Sequence, residues 1–148
     1  MVDEERLTRL ASGVLADLAR LRALATTADL VGQPDQLDAV KYRFVTAIEG
    51  CIGIAHHITA SEGWAAPDSN AAAVRGMAEH AIIDRGLANT VASAAGFRNL
   101  LVHQYGTIDD TSVVEFLGQL DELDRYVREV LAWVTGRSSG ASPELGAS

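Results

Sequence analysis

The segment FRNLLVHQY, residues 97–105, brings together side chains that can move protons and bind phosphate. An imidazole titrates near neutral pH, so His103 could take a proton from a ribose 2′-OH or give one to a leaving oxygen. The guanidinium of Arg98 could hold a phosphate through two hydrogen bonds as charge builds on it. Asn99 could fix the imidazole tautomer or contact the phosphate. Tyr105 could serve as an aromatic anchor, a base-stacking surface or a hydroxyl available for modification. Together these residue types suit metal-free cleavage of RNA.

Arg98 lies at a helical position where an apolar side chain is expected. On a helical wheel it falls within an otherwise apolar arc that comprises Val91, Ala94, Ala95 and Val102. Because an unpaired guanidinium in a core is costly, Arg98 must pair with an acidic residue, lie in a cleft or face a symmetry mate. The acidic candidates are Glu49, Glu62 and Asp84.

Arg98 and His103 are five residues apart, so an ideal helix separates their directions by about 140°. They can meet only at an edge of the helix. Three arrangements remain open: the long arginine reaches round, the helix loosens before Gly106, or a second copy of the helix completes the site. The last arrangement implies a homodimer with two arginines and two histidines in one groove.

The other histidines do not form a metal site by their spacing. His56 and His57 are adjacent and point about 100° apart on a helix, so they cannot chelate one ion as a pair four residues apart can. His80 has no cysteine or histidine near it in the sequence. We interpret all three as surface or core histidines and predict no metal.

Apolar residues that recur at steps of three and four predict helices throughout and no sheet. The sequence predicts five helices, over about residues 3–27, 35–60, 70–80, 86–104 and 110–135. These helices predict an all-α, up-down bundle of four to five helices over residues 1–135. The small, polar segment 136–148 is predicted to be a disordered tail.

Composition and charge exclude several classes of protein. A chain of 148 residues, 48% of them apolar, corresponds to one soluble domain. Its net charge of −8 excludes a general coat for nucleic acid, because that binding needs many cationic contacts. The acidic start MVDEERL and the short apolar runs predict neither a secretion signal nor a membrane span. A cytoplasmic location follows as an expectation, and the single Cys51 agrees with it.

The segment GFRNLLVHQYGTID, residues 96–109, resembles the signature of HEPN-domain proteins, and specifically of the HepT-type toxins. That signature is an arginine, four to six residues, a histidine and, in the HepT branch, one further residue and a tyrosine. Arg98, His103 and Tyr105 match it without a gap. The predicted order of helices is also similar to that of the family.

The resemblance implies an all-α HEPN-like homodimer whose paired motifs form a ribonuclease cleft, with Arg98 and His103 as catalytic residues. It implies RNA rather than DNA as the substrate, and no cofactor of its own. It also implies a partner, an MntA-type nucleotidyltransferase antitoxin that uses ATP and Mg²⁺ to attach AMP to Tyr105. Such a group would place negative charge and bulk where the RNA phosphate should bind.

The chain departs from the family in its second helix. Many members carry an acidic residue one helical turn after the glutamate that corresponds to Glu49, and this chain has Gly53 there. Glu49 can still support Arg98, as can Asn99, but the second carboxylate is missing. The alternative hypothesis is therefore a non-catalytic helical module that dimerises and docks a nucleotidyltransferase or a nucleotide.

Overall fold

The computed structural model describes the backbone of residues 2–103 and 109–147, and the side chains of residues 2–103 and 109–137. Over these residues the chain is all-α and contains no strand. The helices are α1 (Glu4–Ala25), α2 (Pro34–Ser61), α3 (Asn70–Glu79), α4 (Arg85–His103), α5 (Asp110–Phe116) and α6 (Leu120–Ala147). Single 3₁₀ turns occupy Leu30–Gly32 and Leu117–Gln119.

The helices begin where the sequence provides caps. The Asp3 carboxylate accepts from the Arg6 amide at 3.1 Å and starts α1, and Pro34 stands in the first turn of α2. Ser69 and Asp109 cap α3 and α5 in the same way. These starts agree with the predicted boundaries to within about two residues.

The last predicted helix, 110–135, is wrong as a single straight element. A 3₁₀ turn that contains Gly118 separates α5 from α6, which fits the poor helix propensity of glycine. Counted as one bent helix, α5 and α6 complete the five helices predicted. The backbone of α6 is helical to Ala147, into the segment predicted as a disordered tail. Side chains beyond Arg137 lie outside the described residues, and the domain boundary at 135 stays a prediction.

The core lies between two helical hairpins, in which α1 packs along α2 and α3 packs along α4, with α6 closing the bundle against α1 and α4. Its largest fully buried side chains include Phe44, Tyr126, Leu18, Ile54 and Met77. The Tyr126 hydroxyl donates to the Cys51 carbonyl at 2.9 Å and ties α6 to α2. Among the described helices, none is long and apolar enough to cross a membrane.

Three phenylalanine rings set the rotation of α4 against α2. Phe97 packs edge-on against Phe44 at 5.8 Å between centroids and stacks on Phe116 of α5 at 4.3 Å. Phe44 and Phe116 also meet edge-on at 5.3 Å. Because Phe97 is turned into this cluster, the next residue on α4 is directed to the edge where α4 meets α2.

Candidate active site

The guanidinium of Arg98 lies against Glu49 at the edge between α4 and α2. Its Nη2 and Nε donate to Glu49 Oε1 at 2.6 Å and 3.2 Å. The Arg98 side chain is 22% exposed and that of Glu49 is 47% exposed. The charge is therefore paired and still reachable from solvent, which is the condition for an arginine that can also bind a phosphate.

The two other acids considered as partners are occupied elsewhere. Glu62 accepts from Arg137 at 2.5 Å, and Asp84 forms an ion pair with Arg125. Asp84 also accepts from the Leu87 amide at the start of α4, and this bond together with the Arg125 charge lowers the pKa of its carboxyl. The position of Arg98 in the apolar arc is thus explained by one specific carboxylate on α2.

Asn99 contacts Arg98 rather than a described imidazole. Its Oδ1 accepts from Arg98 Nη1 at 3.1 Å. This contact supports the guanidinium and is neither the imidazole contact nor the phosphate contact expected from the sequence. Asn99 itself is exposed, so its NH₂ group is open to a ligand.

His103 is the last residue of α4 and is exposed. The helix is continuous from Arg98 to His103, so the two side chains leave it about 140° apart. Arg98 is held toward α2 and does not reach round to His103 within one chain. Tyr105 and Gly106 lie outside the described residues, and so does the segment before Gly106 where one of the three open arrangements has the helix loosen.

Gly53, at the position where the resemblance to the HepT-type toxins implies an acidic residue, lies on α2 one turn after Glu49. A Cβ at this position would meet Leu10 Cδ2 at 3.6 Å, which is an ordinary contact. A Cβ therefore fits at this position without a clash.

The remaining histidines have structural contacts. His56 Nε2 is 2.9 Å from Asn70 Oδ1, and His57 Nε2 accepts from the Asp3 amide at 3.2 Å. His80 stacks on Trp64 with 3.6 Å between ring centroids. No group of three or more His, Cys, Asp or Glu side chains in the described part of the chain is arranged to hold a metal ion.

The aromatic cluster of Phe44, Phe97 and Phe116 orients the site, and the periodicity of the sequence does not reveal that these three rings meet. The available signal was a large ring directly before the arginine, since neighbouring helical positions point about 100° apart. A ring turned inward at 97 leaves residue 98 at the edge of the buried face.

This bundle has the fold of the HEPN toxins. It superimposes with a TM-score of 0.80 on the tri-AMPylated HEPN toxin of Shewanella oneidensis, determined in complex with its MNT antitoxin. The two share 21% identity, and the match covers 89% of this chain and 99% of that one. A toxin-antitoxin crystal structure with AMP-PNP gives 0.79 at 20% identity, covering 85% and 97%. The Bacillus subtilis protein YutE, described as a cytosolic protein of unknown function, gives 0.77 at 13% identity, covering 92% and 93%.

The family model described as "Ribonuclease HepT-like" matches residues 13–130. The chain therefore belongs to the HepT-like ribonuclease family, as the motif around Arg98 and His103 led us to expect. No curated protein sequence matches it significantly.

Proposed function

We propose that this protein is the toxin of a HepT/MntA-type pair and cleaves RNA without a metal ion. The observation that carries the proposal is the Arg98 guanidinium, paired with Glu49 at a solvent-accessible edge of the helix that ends in the exposed His103. The family match supports the class of reaction. The substrate would be cytoplasmic RNA.

In the proposed reaction a ribose 2′-oxygen attacks the adjacent phosphorus. The His103 imidazole takes the proton from the 2′-OH, the bond between phosphorus and the 5′-oxygen breaks, and the leaving oxygen takes a proton from solvent. The products are a 2′,3′-cyclic phosphate and a free 5′-OH. Arg98 stabilises the negative charge on the phosphoryl oxygens during the attack.

A homodimer brings Arg98 of one protomer and His103 of the other together. Within one chain Arg98 is turned toward α2 and His103 points about 140° away, so one protomer does not assemble both groups. A twofold mate placed along the C-terminal half of α4 would bring its His103 toward Arg98, and the reverse.

Glu49 and Asn99 act as positioning residues in this proposal. They hold three of the guanidinium hydrogen bonds at 2.6–3.2 Å. The remaining donors stay available for a phosphate, because a guanidinium carries five N–H groups. Pre-orientation of the arginine lowers the cost of binding the transition state.

We propose that a nucleotidyltransferase partner silences the toxin by attaching AMP to Tyr105. The Shewanella oneidensis relative carries AMP groups and is bound to an MNT antitoxin, which supports this assignment. Tyr105 follows His103 by two residues. A phosphodiester at that distance in sequence would bring negative charge and bulk close to the imidazole and would repel the RNA phosphate.

Purified, unmodified protein should therefore cleave single-stranded RNA in the presence of EDTA and leave cyclic phosphate ends. Arg98→Ala and His103→Ala should lose this cleavage while remaining folded. The matched controls are Arg137→Ala, which removes another ion-paired arginine, and His56→Ala, which removes another exposed histidine; both should cleave normally. Full activity of the His103→Ala or Arg98→Ala protein would overturn the catalytic assignment.

Gly53 favours one second candidate, the non-catalytic module that docks a nucleotidyltransferase. Only one carboxylate, that of Glu49, is seen to hold the guanidinium among the described residues. Absence of cleavage across RNA substrates, together with tight binding to the nucleotidyltransferase, would favour the module over the ribonuclease.

A further inference from the structure

We propose that Arg75 on α3 and Arg85 at the N-terminal end of α4 form a binding surface for the backbone of single-stranded RNA. We call these two residues and Asn89 the distal arginine surface. The inference rests on the proposed function, because it extends the substrate path away from Arg98 and His103 toward the other end of the same helix.

The first support is the distribution of charge. The sequence of α4, RGLANTVASAAGFRNLLVH, contains no aspartate or glutamate, whereas each of the other five described helices carries at least one. The whole chain has a net charge of −8. The helix α4 itself therefore carries no fixed negative charge that would repel a polyanion, and the carboxylate of Asp84 before it is paired with Arg125.

The second support is that these two arginines are not neutralised. Most cationic side chains of the described residues form ion pairs, as Arg98 does with Glu49. Arg75 and Arg85 are exposed, and neither forms an ion pair with a described carboxylate. Arg75 Nε instead donates to the amide oxygen of Asn89 at 3.4 Å. This neutral acceptor orients the guanidinium without cancelling its charge.

The third support is the geometry of α4. Arg85 and Asn89 lie one turn apart on one exposed face of the helix, which continues through Ser93 and Gly96 to His103. At 1.5 Å per residue the distance from Arg85 to His103 is about 27 Å, which is the length of roughly eight stacked nucleotides. A Cβ built at Gly96 would meet nothing within 4 Å, so the middle of the path is open.

The composition of the face favours RNA over a protein partner. Between Arg85 and Leu100 the exposed residues on this face are small or polar: Asn89, Ser93 and Gly96. Protein interfaces have a core enriched in aromatic and apolar residues, whereas phosphate contacts come from arginine and from polar side chains. We therefore assign the surface to the RNA backbone and make antitoxin binding an outcome of the test.

The test measures RNA binding by the His103→Ala protein, which leaves the substrate intact. A fluorescein-labelled single strand of about 20 nucleotides covers the path length, and its anisotropy is recorded over a series of KCl concentrations. In the His103→Ala background, the double substitution Arg75→Gln, Arg85→Gln should weaken RNA binding about tenfold. It should also reduce the slope of log Kd against log salt by about 1.4, which is about 0.7 for each lost phosphate contact.

The matched control is Arg6→Gln with Arg20→Gln in the same background. Both residues are exposed on α1 and form no ion pair with a described carboxylate, so the change in net charge is identical. The control should leave the affinity within about twofold and the slope nearly unchanged. Circular dichroism and the melting temperature establish that both double variants are folded.

Equal effects of the two double variants on RNA binding, or no effect of either, would overturn the inference. The proposed function would still stand in that case, provided that the His103→Ala protein binds RNA. Loss of antitoxin binding with unchanged RNA binding in the Arg75→Gln, Arg85→Gln protein would assign the surface to the protein partner and would also overturn it. Failure of the His103→Ala protein to bind RNA, together with failure of the unaltered protein to cleave it, would remove the proposed function as well.

Discussion

Arg98 on α4 and Glu49 on α2 meet through two hydrogen bonds to a single carboxylate oxygen, at 2.6 Å and 3.2 Å. Phe97, the residue before Arg98, packs its ring against Phe44 on α2. The polar and the aromatic contact thus come from adjacent residues on α4 and from residues five apart on α2. A packing interaction that fixes two helices also fixes the direction of the arginine proposed to bind phosphate.

Replacement of Glu49 by glutamine should lower kcat about tenfold, because a poorly held guanidinium is misplaced at the transition state. The melting temperature should change little, since an exposed ion pair contributes about 0–1 kcal/mol. Glu49→Asp should restore part of kcat. The control is Glu62→Gln, which breaks the pair with Arg137 on another part of the surface. Steady-state kinetics that show unchanged kcat in Glu49→Gln would contradict the positioning role.

Alanine substitutions at two glycines on α2 should change the stability of the fold in opposite directions. A Cβ at Gly50 would lie 2.4 Å from Cγ2 of the buried, stiff Val14, so Gly50→Ala should destabilise the fold by about 1–2 kcal/mol. At Gly53 there is room, and the helix propensity of alanine should stabilise the fold by about 0.5–1 kcal/mol. Urea unfolding measures both changes. A Gly50→Ala protein as stable as the unaltered chain would argue against this packing of α1 on α2.

Cys51 should make the fold less stable at alkaline pH. Burial raises the pKa of its thiol from 9.0 to about 12, so the native thiol keeps a proton that the unfolded thiol loses. The contribution is constant below pH 9, and stability is lost as the pH rises from 9 to about 12, by up to about 1.4 kcal/mol per pH unit.

The control for this pH effect is Cys51→Ala, studied by urea unfolding over the same range. The difference in free energy of unfolding between the two proteins should narrow as the pH rises above 9. Buried Tyr126 is present in both proteins, and burial, the first cause of its raised pKa, acts equally in each. A difference that stays constant with pH would contradict an inaccessible, protonated Cys51.

The modification site is tested by intact-mass spectrometry after incubation with the nucleotidyltransferase partner and ATP. We expect added AMP units on the unaltered protein and none on Tyr105→Phe. Tyr42→Phe is the matched control, because Tyr42 is another tyrosine and is 63% exposed; it should be modified like the unaltered protein. AMP units that persist on Tyr105→Phe would place the modification on another residue.

Much of the fold could be predicted from local periodicity, because amphipathic stripes and caps such as Asp3 and Ser69 act within a few residues. The importance of Arg98 was also visible locally, since a charge stands out on an apolar arc. The sequence does not show that Arg98 pairs with Glu49 and not with Glu62 or Asp84, because the pairing depends on how α2 and α4 are rotated against each other. That rotation is set by contacts among Phe44, Phe97 and Phe116, which are distant in sequence.

The break at Gly118 was missed for a related reason. The apolar stripe continues on both sides of the 3₁₀ turn, so periodicity alone does not register the change of direction. Glycine lowers the cost of leaving the helix, and the packing of Phe116 on Phe97 decides where α5 ends.

RNA cleavage by mixed dimers tests most directly whether each site combines Arg98 of one protomer with His103 of its partner. The Arg98→Ala and His103→Ala proteins should each be inactive alone. The two proteins are unfolded, mixed and refolded together. Half of the dimers in a random mixture are then heterodimers, each with one intact combination, so about a quarter of the unaltered activity should return. A mixture that stays inactive, although the proteins exchange and the unaltered dimer cleaves RNA, would contradict a site shared between two copies.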